Sequence, residues 1–170
     1  MRLIGFVVAA LLLAAPVQAQ EWKEYNYPEN GFSIHFPAAP KISDATYQTA
    51  DGTSVKARIY SVEQNGMHFA VTVADFSTLR MSEENAIDQA VKQLTSGNDV
   101  KMDIPHRVNS TYGRQLTVFS KDGSRSFIAV FFRNNKLYIT DGKVLPGNSD
   151  MSTGDGAHFQ QTLGWGDYNG

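Results

Sequence analysis

Phe127-Ile128-Ala129-Val130-Phe131-Phe132 is the stretch that decides the architecture, because six consecutive residues are apolar. In an extended strand successive side chains point to opposite faces, so this run greases both sides of one ribbon. An antiparallel sheet with one face in water would alternate apolar and polar residues instead, and both faces of this strand therefore need cover. Downstream, a two-residue turn at Asn134-Asn135 sets Phe132 opposite Leu137, Phe131 opposite Tyr138 and Val130 opposite Ile139, which extends the apolar surface on both faces. The same register puts Arg133 beside Lys136, a like-charge pair that a longer loop would relieve. Upstream, a two-residue loop at Asp122-Gly123 predicts Val118 opposite Phe127 and Leu116 opposite Ala129 on one face, with Ile128 and Val130 on the other.

Asn-Gly and Asp-Gly dipeptides recur outward from this centre, at Asn30-Gly31, Asp51-Gly52, Asn65-Gly66 and Asp141-Gly142, several of them between stretches rich in Val, Ile, Phe and Tyr. They predict a mainly antiparallel sheet. The best cover for it is a helix over residues 83–96, where Ala86, Ile87, Ala90, Val91 and Leu94 fall on one stripe. Ser82 is its N-cap, Glu83 and Glu84 complement the positive helix end, and Gly97 stops it. A shorter second helix is expected around residues 157–163, with Phe159 and Leu163 on one face. Residues 145–156 read as a surface loop, and residues 164–170 as a frayed end from which Trp165 can pack back.

At the other terminus, Arg2, the apolar run over residues 3–15 and the small residues of Val17-Gln18-Ala19 form a secretory signal peptide of the general secretory type. The run is shorter than the roughly 20 residues that a bilayer span needs. Cleavage is expected after Ala19, which leaves residues 20–170 as one soluble domain in the periplasm or outside the cell. The chain has 170 residues, 15 Lys+Arg against 17 Asp+Glu, and no Cys. Those figures exclude a disulfide scaffold, a cysteine zinc ribbon, an iron–sulfur protein and a thiol enzyme. A net acidic exported domain also argues against nucleic acid as a partner.

Tyr27-Pro28-Glu29-Asn30-Gly31-Phe32-Ser33-Ile34-His35-Phe36-Pro37 resembles the opening of PsbP-like domains: an aromatic strand, a Gly turn and an apolar-alternating strand ending at Pro. The order of the later elements, and the Ala157, Phe159 and Leu163 pattern near the end, are similar too. The resemblance implies an α+β fold, a twisted mainly antiparallel sheet with helices covering both faces in an α/β/α sandwich. Members of that family include extrinsic photosystem II subunits, a Ran-binding import factor and exported bacterial proteins, and several of them act by binding another protein.

Chemistry-bearing motifs are sparse. His35, His68, His106 and His158 lack metal-ligand spacing and read as four unrelated histidines, with His35 facing away from Phe32, Ile34 and Phe36, and His68 opposite Glu63 across the Asn65-Gly66 hairpin. No nucleophile elbow or phosphate-cradling Gly motif occurs, and Asp150 and Asp155 do not fit a calcium loop because Gln161 stands where Glu is required. No catalytic residue, cofactor or metal is therefore expected. Charge is unevenly spread: residues 114–143 carry Arg114, Lys121, Arg125, Arg133, Lys136 and Lys143 against Asp122 and Asp141, whereas residues 81–104 are acidic. This pattern predicts a non-catalytic domain that binds an unidentified envelope or periplasmic protein, with Arg125, Arg133 and Lys136 as contacts. Two alternatives are a small-ligand binder using Tyr25, Tyr27, Tyr60 or Tyr138, and a metal-dependent enzyme built on His68.

Overall fold

The computed structural model describes residues 21–148 and 153–166. The expected signal segment and its expected cleavage point lie outside the described residues, as does Asp150. Strands β1 (Lys23–Tyr27) and β2 (Phe32–Phe36) form a hairpin, followed by β3 (Lys41–Gln48), β4 (Ser54–Gln64) and β5 (Met67–Asp75). Helix α1 (Glu83–Thr95) leads into β6 (Asp99–Val108), β7 (Thr111–Phe119), β8 (Arg125–Arg133) and β9 (Lys136–Val144). Helix α2 (Thr153–Gln161) and a short β10 (Gly164–Trp165) complete the chain. Strands β3 to β9 build a seven-stranded antiparallel sheet in the order β3-β4-β5-β9-β8-β7-β6, and β1-β2-β10 form a separate three-stranded sheet.

The apolar run lies inside β8, and no residue from 127 to 132 is more than 7% exposed. Its odd-numbered side chains Phe127, Ala129 and Phe131 join one core with Tyr138, Phe32, Ile34, Phe36, Phe159 and Trp165. Its even-numbered side chains Ile128, Val130 and Phe132 join another with Leu137, Ile139, Ala86, Ile87, Ala90 and Val91. Thus α1 lays its apolar stripe on the Ile128 face. Ser82 Oγ accepts from the Asn85 N–H at 3.3 Å, capping the helix as its position predicts. On the Phe127 face α2 supplies Phe159, while β1, β2 and β10 supply Tyr27, Phe32, Ile34, Phe36 and Trp165. Much of that cover is therefore a second sheet rather than the helical layer expected. A strand such as β2, apolar at every second residue, buries its apolar face by lying across the large sheet.

The Asn134-Asn135 turn has two residues, with φ of 50° and 57°, and it pairs Phe132 with Leu137, Phe131 with Tyr138 and Arg133 with Lys136 as the sequence register predicts. No longer loop forms, because positive φ at both central residues matches the twist of the strands and Asn tolerates it. The upstream register differs from expectation. Thr117, not Val118, faces Phe127, and Leu116 faces Ile128. Here the loop has three residues, closed by Ser120 N–H to Ser124 O at 2.9 Å with Gly123 at φ +87° and the Asp122 carboxylate accepting from Ser124 N–H at 2.9 Å. That one-residue change turns Leu116 and Val118 to the Ile128 face. Thr49, Asp51, Gly52 and Thr53 repeat the same turn between β3 and β4.

Three further expectations are corrected. Asp141-Gly142 lies within β9 instead of forming a turn. Helix α2 begins at Thr153, earlier than predicted, and Gly154 and Gly156 lie within it, Gly156 where a larger residue would strike the sheet. The terminal segment is not frayed at its start, since Trp165 pairs with Phe32 and is 6% exposed.

Candidate functional site

On the face that carries Phe131 and Tyr138, the small sheet stops short of one end of the large sheet and leaves an open cleft of about 580 Å³. Neighbouring strands bring their polar side chains to this end because the hairpin registers align them. Asp44 of β3 pairs with Arg58 of β4, and Asp75 of β5 pairs with Lys136 of β9. Lys56 and Val73 complete the floor on that face, and Glu29 and Asn30, from the Pro28–Asn30 turn between β1 and β2, form the wall. The charged lining is balanced: Glu29, Asp44 and Asp75 against Lys56, Arg58 and Lys136.

Asn30 anchors the wall. Its side-chain N–H donates to the Tyr60 hydroxyl at 2.5 Å, its Oδ1 accepts from Lys136 Nζ at 3.1 Å, and its backbone oxygen accepts from the Tyr138 hydroxyl at 2.8 Å. Lys136 also donates to the Glu29 carbonyl oxygen at 3.1 Å. On the floor Arg58 Nε meets Asp44 Oδ1 at 3.2 Å, and this carboxylate, followed by the Tyr60 hydroxyl, raises the guanidinium pKa. Hydrogen bonds from Ser77 hold the Asp75 carboxyl below its ordinary range, with Lys136 and Lys56 adding to the effect. The cleft thus carries charges of both signs side by side: one ion pair, Asp44–Arg58, is closed, while Asp75 is held by the Ser77 N–H and Lys136 by Asn30 and the Glu29 carbonyl oxygen.

The residues singled out by sequence fall as follows. Lys136 lines the cleft, and Arg133, its cross-strand partner, lies over the Trp165 ring with its guanidinium carbon 5.3 Å from the centroid. Arg125 sits at the other end of β8, eight residues away, about 26 Å at the ordinary strand rise. The three do not share one patch. Arg114 is engaged by the acidic region, with Asp103 at 2.5 Å and Asp88 at 3.6 Å. Tyr27, Tyr60 and Tyr138 are packed in the core, Tyr25 is half-buried against Phe36, and burial pushes the Tyr27 phenol up to about 12. His68 stands opposite Glu63, as the hairpin predicts. Among the described residues no three His, Asp or Glu side chains gather where they could hold one metal ion.

Sequence reading missed most of the cleft, because Asp44, Lys56, Arg58 and Asp75 are scattered over 32 positions and converge only through strand pairing. It also missed Asp141, hidden in the supposed Asp-Gly turn. Asp141 as a whole is half-buried, yet its Oδ1 is shut off from water without a hydrogen-bond partner, and its Oδ2 accepts from Ser126 Oγ at 3.3 Å. Burial pushes this carboxyl up to about 6.

No family model matches the sequence, and no curated protein is detectably similar to it. Among solved structures the chain is similar to the solution structure of cyanobacterial PsbP (CyanoP) from Synechocystis sp. PCC 6803, with a TM-score of 0.56. The similarity covers 91% of this chain and 98% of that one at 10% sequence identity. The fold is therefore PsbP-like, and at that identity the likeness speaks for the fold alone. Among the described residues no helix is long and apolar enough to cross a membrane.

Proposed function

We propose that this PsbP-like fold, with helices as outer layers in an α/β/α arrangement, is a non-catalytic binding domain of the cell envelope. The signal segment at residues 1–19 exports it, and the cleft beside Asn30 takes an unidentified envelope or periplasmic protein. Of the three basic residues named from sequence, Lys136 belongs to this surface and Arg125 lies too far away to share it.

The observation that carries the reading is the pairing of charges on an open floor, Asp44 with Arg58 and Asp75 between Lys56 and Lys136. Charges already fixed by neighbours lose little conformational freedom when a partner arrives, and an alternating pattern selects a partner surface of complementary alternation. Catalysis would need a group left free to move a proton or attack a carbon. Arg58 is instead held by Asp44, Asp75 by the Ser77 N–H, and Lys136 by Asn30 and the Glu29 carbonyl oxygen.

The cleft volume of about 580 Å³ favours a second reading, a small polar ligand, since such sites span roughly 300–1,000 Å³. Small-molecule sites enclose their ligand and have few charged groups, however, and this one is open and lined by six charged side chains, which suits a protein segment better. A photo-crosslinker placed at Lys56 in cells tests the choice, with the same group at exposed Lys92 on α1 as control. One protein trapped from position 56 alone, and lost when Arg58→Glu and Lys136→Glu are combined, supports the proposal. Identical products from both positions contradict it, and a bound small mass in native mass spectrometry that Arg58→Ala removes supports the second reading.

A further inference from the structure

The two outer strands of the large sheet differ. Strand β6 is guarded by Pro105, which has no N–H to offer, and by a bulge between Val100 and Met102. Strand β3 has neither device: all eight residues from Lys41 to Gln48 pair with β4 in unbroken register, with no Pro among them. Among the described residues no strand lies on its outer side. The hairpin fixes which backbone groups this edge presents. Thr49 N–H donates to the Thr53 oxygen at 2.9 Å, and bonded and unbonded pairs alternate along an antiparallel ladder, so Tyr47, Ala45, Ser43 and Lys41 bond inward to β4. Gln48, Thr46, Asp44 and Ile42 therefore turn their N–H and C=O groups outward. The Gln48 oxygen agrees, since it accepts from Gln93 Nε2 of α1 at 3.1 Å, which caps one end of the edge. Ile42, Asp44 and Thr46 are all exposed.

These three side chains stand on the cleft face, opposite Tyr60, Arg58 and Lys56 of β4. Ile42 is 49% exposed, more than any other large apolar side chain among the described residues. Asp44 keeps its side chain 86% exposed while Arg58 meets its Oδ1 from the inner side. We propose that the β3 edge takes an extended, antiparallel segment of the partner protein as an eighth strand, an inference that deepens the reading of the cleft and rests on it. Backbone bonds to residues 42, 44 and 46 supply the affinity, and the side chains beside them supply the choice. Directly opposed residues share a face, so the segment reads from its N-terminal end as a polar residue beside Thr46, a base beside Asp44 and an apolar residue beside Ile42, at every second position. The residues between them lie toward half-buried Ala45 and Ser43 and are small.

A fluorescein-labelled probe peptide, Thr-Ser-Thr-Ser-Lys-Ser-Ile-Ser-Thr, tests this assignment by fluorescence anisotropy with the purified protein. Saturable binding is expected, weakened about tenfold or more in Thr46→Pro, which loses an outward N–H but no bond to β4, and kept in Thr46→Ala, which retains that N–H. Thermal melts establish that both variants fold. A second measurement leaves the protein untouched: methylation of the peptide nitrogen of Lys, which faces Asp44, should weaken binding about tenfold, and methylation of the following Ser nitrogen, which points away, should not. No binding by the parent protein, or undiminished binding of the peptide methylated at Lys, would overturn the proposal. So would a dimer of the parent in analytical ultracentrifugation that Thr46→Pro dissolves, which would give the edge to a second copy of the chain. Crosslinking from Lys56 survives if only the edge assignment fails, and is lost if the reading of the cleft itself fails.

Discussion

Gly156 of α2 rests so closely on Gly142 of β9 that a Cβ added to Gly142 would lie 2.6 Å from the Gly156 carbonyl oxygen and 2.7 Å from its Cα. A Cβ on Gly156 would in turn meet Phe127 at 2.6 Å and the Gly142 oxygen at 2.8 Å. Such distances are possible only for glycine on both elements. They let α2, which has few apolar side chains to offer, seat Phe159 in the core beneath the small sheet.

Gly142→Ala and Gly156→Ala should therefore each destabilise by about 1–3 kcal/mol, the ordinary cost of overpacking. For a chain of this size that is a fall in melting temperature of roughly 2–4 °C per kcal/mol. Gly154→Ala, in the same helix with nothing within 4 Å of the added methyl, should stabilise by up to about 1 kcal/mol through helix propensity. Thermal unfolding of the three variants checks the opposite signs.

Asp141 makes stability depend on pH. Its folded pKa of about 6 lies above the unfolded value near 3.9, so between those values the folded state holds the proton more tightly. Stability is then lost as pH rises from about 4 to 6 and stays lower above that, by at most about 3 kcal/mol. Asp141→Asn keeps an acceptor for Ser126 and cannot ionise. It should be more stable than the parent by about 1–3 kcal/mol at pH 7.5, and the two should converge near pH 4, as denaturant melts across pH would record.

Asn30 joins the wall of the cleft to its floor through Tyr60 and Lys136. Asn30→Ala takes one donor from the Tyr60 hydroxyl, on a fully buried residue, and leaves Arg58 as its partner. A loss of about 0.5–1.5 kcal/mol is expected, together with weaker crosslinking from Lys56. Asn30→Gln, which can re-form one of the bonds, should recover part of the stability in the same denaturant melts.

At the Asn134-Asn135 turn both residues hold left-handed backbone. Asn135→Gly should raise stability by a few tenths of a kcal/mol up to about 1, and Asn134→Val should lower it, since a β-branched residue resists positive φ. Chemical denaturation midpoints at unchanged slope would show both effects.

The central features were legible in sequence where a local rule had no competitor. Six consecutive apolar residues bounded by turn dipeptides read as a strand buried on both faces, and a two-residue turn at Asn134-Asn135 gave the observed pairing of β8 with β9. The stripe from Ala86 to Val91 with Ser82 before it likewise located α1. Asp-Gly was less informative, since the same dipeptide closes a three-residue loop at Gly123 and lies within a strand at Gly142, and the choice depends on partners distant in sequence. The cleft was hidden for the same reason. Asp44, Arg58, Asp75 and Lys136 come together only through four-strand registry.

Amide hydrogen exchange along β8 tests most directly the claim on which the cleft and both cores rest, that residues 127–132 form an inner strand covered on its two sides. The slowest amides in the protein, opening only with global unfolding, should lie in residues 127–132 and in facing β9, while edge strands β3 and β6 exchange faster. Exchange at residues 127–132 as fast as in those edge strands would contradict it.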